Sequence, residues 1–233
     1  MVPYFLAGED ALAILEEANG IIRSDFNDSE NLQVLNLDEI EGRKILTGSN
    51  SLVLPIVQRI FPERRIGRPE DIQKTLNDGD TIGIEGRHYV DLGVVLDFSG
   101  RNHEIARDFY GQLPGELKDL DRMPTVVVGY DLKNFDGGRY NLGLVHQEKT
   151  ELRHASVLSG KSGNFSNTDV SLSDGMPQKA GEGKRRLWTA SQKDKSEENL
   201  GLLGLYVNGG DLSLDACSEG LDGSSGDGRV VLF

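Results

Sequence analysis

The sequence predicts an α+β fold of the mixed α/β kind, on three observations. Apolar residues recur at helical spacing in several segments before residue 120. Period-two alternation dominates the C-terminal half. Asp-Gly and Asn-Gly turns separate its runs as they do in antiparallel hairpins. The helices are therefore expected mainly in residues 1–120 and a mostly antiparallel sheet after them. One domain covering 1–233 is expected. The alternative division is a helix-rich 1–113 with the central strand and a β-rich 125–233, joined by a turn-rich linker at 114–124.

The central stretch is Asp80 to Gly100. Val90, Leu92, Val94, Leu96 and Phe98 share one parity, and Tyr89, Asp91, Gly93, Val95 and Asp97 share the other. Successive side chains of a strand leave opposite faces, so the first set is expected on a core and the second toward water or a cleft. Asp91 and Asp97 lie six residues apart, about 20 Å along a strand, too far to share a proton or a metal ion. Solvated strand-end carboxylates are the plain reading, with Asp91 kept as a candidate cleft carboxylate. Gly93 between them marks a bulge or a close backbone approach.

The remaining elements follow in order. Glu9 to Asn19 is a helix, with Ala11, Ile14, Leu15 and Ala18 in one stripe, acids in its first turn and Asn19-Gly20 as a stop. Leu32 to Leu37 is a short strand, and Lys44-Ile45-Leu46 ends another. The apolar helix Leu52 to Phe61 follows, with Ser51 as N-cap and Pro62 closing it. Arg68-Pro69-Glu70-Asp71 opens a helix running to Leu76. Glu85-Gly86-Arg87 is a turn pairing Thr81–Ile84 with the central strand. Asn102 to Tyr110 is helical, capped by Ser99 or Asn102. Thr125 to Tyr130 is apolar on both faces and suits the sheet centre. Asn134 to Gly138 turns into a strand over Arg139 to His146. Glu151 to Leu158 returns beside that strand, which makes His146 and His154 diagonal neighbours. Gly160 to Arg186 reads as a binding loop, a lid or a disordered insertion. Leu187 to Thr189 is a short strand. Gly201–Val207 and Asp211–Ala216 flank the hairpin turn Asn208-Gly209-Gly210, and Arg229 to Phe233 is a final strand.

Composition narrows the function classes. The chain has 233 residues, 37% of them hydrophobic and 27% charged, enough for a folded core. No apolar run reaches the ~20 residues that span a bilayer, and the start MVPYFLAGED lacks the basic and apolar regions of a secretory signal. The single cysteine, Cys217, excludes an internal disulfide, so a soluble cytoplasmic protein is expected. A net charge of −13 disfavours nucleic acid as a partner.

No motif names a reaction. The four histidines, His88, His103, His146 and His154, show no metal-ligand spacing, and no metal site is expected. Asp222 to Gly228 is rich in Asp and Gly but lacks the ligand order of a calcium loop. The loop Thr47-Gly48-Ser49-Asn50-Ser51 leads into a helix whose first N–H groups bind an anion or simply take a cap. It lacks the Gly-Lys-Ser/Thr ending of a phosphate loop. Two functions are weighed. The first is a binding protein for a small anionic ligand, with catalysis left open. Its site would form where Thr47–Ser51, the Asp91 strand and the 160–186 loop meet, with positive charge from Lys184, Arg185 and Arg186. The second is an interaction protein that assembles as a homo-oligomer through exposed strand edges. Two further basic residues, Arg64-Arg65, stand with Arg68 as a cluster read first as solvated surface and second as an anion site.

Overall fold

The computed structural model describes residues 4–5, 8–26, 35–40, 42–48, 50–79, 88–97, 103–118, 124–136, 141–189, 200–216, 221 and 227–233. In chain order its elements are β1 (Tyr4–Phe5), α1 (Glu9–Asp25), β2 (Asn36–Ile40), β3 (Arg43–Thr47), α2 (Leu54–Ile60), α3 (Pro69–Asn77), β4 (Tyr89–Asp97), α4 (Glu104–Gln112), β5 (Thr125–Val128), β6 (Asp131–Asn134), β7 (Leu142–Val145), β8 (Glu151–His154), β9 (Gly163–Phe165), β10 (Arg185–Trp188), β11 (Gly201–Asn208), β12 (Leu214–Asp215), β13 (Gly228–Arg229) and β14 (Val231–Leu232). Four α-helices among the described residues, with a mostly antiparallel sheet, make this an α+β fold. Among the described residues no helix is long and apolar enough to cross a membrane. Several expected features lie outside the described residues: Val34, Ser49, the strand Thr81–Ile84 with its turn, Phe98, Ser99, Asn102, Arg139, Cys217 and Asp222–Gly226.

The main sheet runs β8-β5-β4-β11-β12-β10-β9, with β13 also on β4. β4, from the N-terminal half, is hydrogen-bonded to β5 and β11 from the C-terminal half. Among the described residues only the β10–β12 and β4–β13 pairs are parallel. The β11–β12 hairpin forms as its Asn-Gly-Gly turn predicts. β5 lies one strand in from the edge, not at the centre, between β4 and β8. β8 pairs with β5 and not with β7, which instead forms a separate ribbon with β6. His146 and His154 are therefore not neighbours on one hairpin.

β4 does not keep one face along its length. Its register with β11 runs Gly93↔Leu205 and then Asp91↔Tyr206, so Leu92 is an extra residue. This bulge inverts the alternation. Val94 and Leu96 pack into a first core with Ala11, Ile14, Leu54 and Phe109 from the helices. Val90, Leu92 and Val95 pack into a second core with Phe165, Leu187 and Leu214. Asp91 and Asp97 are 5% and 2% exposed, so neither is a solvated strand end.

Two helices differ from expectation for physical reasons. α1 runs past Asn19-Gly20 to Asp25, because Ile22 extends the buried row Ala11, Ile14, Ala18. That burial outweighs the cost of about 1 kcal/mol for a mid-helix glycine. α2 begins at Leu54, and Ser51 is not its cap. The Asn50 carboxamide oxygen accepts the N–H groups of Leu52 (2.9 Å) and Val53 (3.1 Å), while the Ser51 hydroxyl donates to Gly93 O on β4 at 3.2 Å.

The 160–186 segment follows a defined path. It contains β9, a short 3-10 turn at Asn167–Asp169 and a bridge between Val170 and Pro177. Phe165 and Met176 anchor it in the second core.

Gly93 has φ +147°, and a Cβ there would sit 2.7 Å from Val127 O. Gly93→Ala is expected to lower stability by about 3 kcal/mol through backbone strain and overpacking. Gly20→Ala, in open space on α1, is expected to raise it by about 0.5 to 1 kcal/mol. Urea midpoints of the two variants check both signs.

Candidate functional site

The edge of β4 opposite β11 is shared by two strands. β13 pairs with Tyr89 and Val90, and β5 pairs with Val94 to Leu96. Residues 91–93 lie between these ladders, at the bulge. A cavity of about 270 Å³ opens beside this gap. Taking ~30 Å³ per water, it has room for about nine waters, the size of a small organic molecule and far below a dinucleotide.

Leu54 and Pro55 of α2, Ile66, Leu92 and Val128 form an apolar floor, and Tyr130 closes one side. Arg64, Arg65, Arg68 and Lys149 line the rest of the wall with Gln58, Pro62 and the backbone at Gly93 and Gly129. Among the described residues no carboxylate lines it.

Local bonding fixes this wall. The Gln58 side chain on α2 donates to Phe61 O (3.0 Å) and Arg64 O (2.6 Å) and accepts from Ile66 N (3.1 Å), stapling the 61–66 connection to the helix. Arg65 is held by both carboxylate oxygens of Asp71 on α3, and Asp71 also caps that helix through Arg68 N. Arg68 pairs with Glu151, which pairs with Arg153, which is doubly bonded to Glu70 (2.7 and 3.0 Å). The acids of the first turn of α3 thus stand behind the cations of the cavity and orient them. Glu151 is pulled below its usual pKa, first by the Arg153 hydrogen bond, against the cost of burial, and then by Arg68. The Tyr130 hydroxyl donates to Ser51 O at 2.7 Å. Burial, and then the nearby Asp91 charge, raise its pKa, so the phenol stays protonated.

The residues singled out in the sequence fall in different places. Thr47, Gly48, Asn50, Ser51 and Asp91 are buried on the helical side of the sheet. Asn50 and Ser51 position α2 and Tyr130 and do not present groups to the cavity. Lys184, Arg185 and Arg186 do not join them. β10 alternates, so Lys184 and Arg186 are exposed and Arg185 is buried. Arg186 lies 3.7 Å from Asp211. Arg185 stacks over Phe165 at 4.5 Å in the second core and donates to Gln73, Asn167 and Leu212 O. Burial lowers its pKa to about 10, opposed by Asp211, so it is charged at neutral pH. The sheet lies between this arginine and the Asn50–Ser51 loop. The cluster that does meet a cavity is Arg64, Arg65 and Arg68; Lys149, Tyr130 and the β4 gap were not foreseen.

Among the described residues no group of three or more His, Cys, Asp or Glu side chains is arranged to hold a metal ion. No protein-family model, curated protein or solved structure matches the chain.

Because the folded Glu151 pKa is depressed, its contribution to stability is complete above the free value of about 4.3 and is lost as the pH falls through the lower folded value. Its side chain is 43% exposed, so the contribution is within about 1 kcal/mol. Glu151→Gln is expected to be slightly less stable than the parent at pH 7 and to converge with it toward pH 3, read by denaturant melts across that range.

Proposed function

We propose that the protein binds a small organic anion in the cavity beside the β4 gap. The acidic group of the ligand meets Arg64, Arg65, Arg68 and Lys149, and its apolar body rests on Leu54, Leu92 and Val128. The observation that carries this reading is compositional and spatial together. In a chain with a net charge of −13, four cations and no described carboxylate line one half-open cavity. Arg65 and Arg68 are oriented before any ligand arrives, which reduces the ordering cost of binding. Charge-assisted hydrogen bonds to an anion are about twice as strong as neutral ones. On this reading the chain works as one domain, since the wall draws on residues 54–68, 92–93 and 128–149.

The test uses benzoate, its neutral counterpart benzamide, and inorganic phosphate in calorimetric titrations. Benzoate is expected to bind, benzamide not to bind, and phosphate to bind more weakly for want of an apolar body. The double variant Arg64→Ala/Lys149→Ala, at exposed positions, should weaken benzoate binding about tenfold or more, as the loss of two charge-assisted contacts requires. Equal binding of benzamide and benzoate, or indifference to the double variant, overturns the proposal.

A further inference from the structure

The arginines around the cavity differ in how much of their hydrogen bonding is already committed. Arg153, behind the wall, uses all three guanidinium nitrogens: Nε and Nη2 donate to Glu151, and Nη1 and Nη2 donate to Glu70. Arg65 gives both terminal nitrogens to Asp71, which leaves only Nε without a bond among the described residues. Arg68 donates to Glu151 through Nη1 alone, with Glu70 3.9 Å from the same nitrogen. Its Nε and Nη2 have no partner among the described residues.

A guanidinium is a flat triangle of nitrogens, so the Nε–Nη2 edge of Arg68 lies opposite Nη1 and faces away from Glu151. Arg68 lines the cavity and Glu151 does not. Glu151 is registered opposite Val128, part of the cavity floor, which holds the Arg68 head beside that end of it. Lys149 stands at the same end. The turn that carries it is fixed to Gly129, because the Thr150 hydroxyl accepts from Gln147 N at 2.8 Å and donates to Gly129 O at 3.2 Å. The Lys149 ammonium itself has no ion pair among the described residues. One end of the cavity thus combines an open two-donor fork with an uncommitted positive charge.

We propose that Arg68 is the specificity-determining residue of this cavity, taking a carboxylate on its Nε–Nη2 edge while Lys149 adds charge, so that the ligands are monocarboxylates with an apolar body. This rests on the reading of the cavity as an anion site. Two parallel N–H groups match the two coplanar oxygens of a carboxylate, so the fork adds geometric selection to charge. An ammonium is a point charge with three rotatable donors and does not reproduce that geometry. A sulfonate carries a third oxygen out of the plane of the fork, and the floor side chains Leu54, Leu92 and Val128 offer it no donor. An acceptor left unmet against such a surface costs more than a typical hydrogen bond contributes. Glu151 acts as the positioning residue. The ligand does not displace it, since the two acids take opposite sides of one guanidinium.

The test compares benzoate with benzenesulfonate by calorimetric titration of the full chain at neutral pH, where both are monoanions on the same ring. Benzoate is expected to bind about tenfold more tightly. Arg68→Lys keeps the charge and should weaken benzoate about tenfold while changing benzenesulfonate by no more than about twofold, so that the preference disappears. In Arg68→Ala, added guanidinium ion at millimolar concentration, but not methylammonium, should restore part of the benzoate affinity. A merely structural role for Arg68 would show no such rescue. Equal binding of the two anions to the parent overturns the assignment of Arg68 and leaves the anion cavity standing. Full benzoate affinity in Arg68→Lys does the same, as does rescue by both cations or by neither. Failure of benzoate to bind the parent at all overturns both readings. Circular dichroism separates lost binding from lost fold, and if Arg68→Ala does not fold, the Arg68→Lys comparison decides alone.

Discussion

Between Asp91 and Gly93, β4 carries one residue more than β11, and the candidate cavity depends on that excess. A regular strand would send Asp91 to the same face as Val95, into a core with Phe165 and Leu187. Burying an uncompensated carboxylate among such side chains costs several kcal/mol. The bulge places Asp91 on the other face, near the Tyr130 and Tyr206 hydroxyls, while Val95 stays in the second core. The same irregularity holds residues 91–93 out of the β5 and β13 ladders. Backbone at the gap is satisfied from outside the sheet, by the Ser51 hydroxyl on Gly93 O. The space left beside it is the cavity.

The second dependence is on α3, a helix of nine residues that serves both halves of the molecule. Its first turn holds Arg65 through Asp71 and Arg153 through Glu70, so it shapes the cavity wall. One turn later Gln73 accepts from Arg185 at 2.6 Å. A buried guanidinium is stable only when its donors are met, and Arg185 is met by a carboxamide from α3, another from the 160–186 segment and a carbonyl from the β11–β12 hairpin. Gly175 reinforces the contact, since its Cβ would collide with the backbone of Pro69 and Glu70. The long segment that reads as a loop in sequence is thus fastened by a buried polar node with tight backbone packing, and by Thr189 on Gly160 O and Ser162.

Much of the fold was legible because it rests on local chemistry. The stripe Ala11–Ala18, the start of α3 at Pro69 and the Asn208–Gly210 turn each carry their own signal, and each element forms. Gly93 was readable as the mark of a bulge, but not its effect on facing. Parity alone cannot show where a register slips, so Val94 and Leu96 were grouped with Val90 and Leu92. The partner of β8 was misread because adjacency in sequence favours β7, whereas β5 offers an apolar edge from the main sheet. Of the candidate site, the Arg64-Arg65-Arg68 cluster was visible as charge but not as a wall. Its carboxylate supports come from residues 70, 71 and 151, and Lys149 from a turn far along the chain. The Lys184-Arg185-Arg186 run misled in the opposite way. Three adjacent cations read as one patch, yet strand alternation buries the middle one and sends its neighbours out.

Charge is sorted in this molecule in a way that its total conceals. An acidic chain repels anions at a distance, so a site for one must be local, walled and pre-oriented to overcome the surrounding field. The cavity meets those terms, with Arg65 and Arg68 held in place by acids on α3 and β8 that do not line it. Screening works in its favour. At physiological ionic strength charges beyond about 8 Å are largely damped while groups in contact are not. The net −13 is then felt mainly during approach, and the four wall cations dominate once an anion is seated.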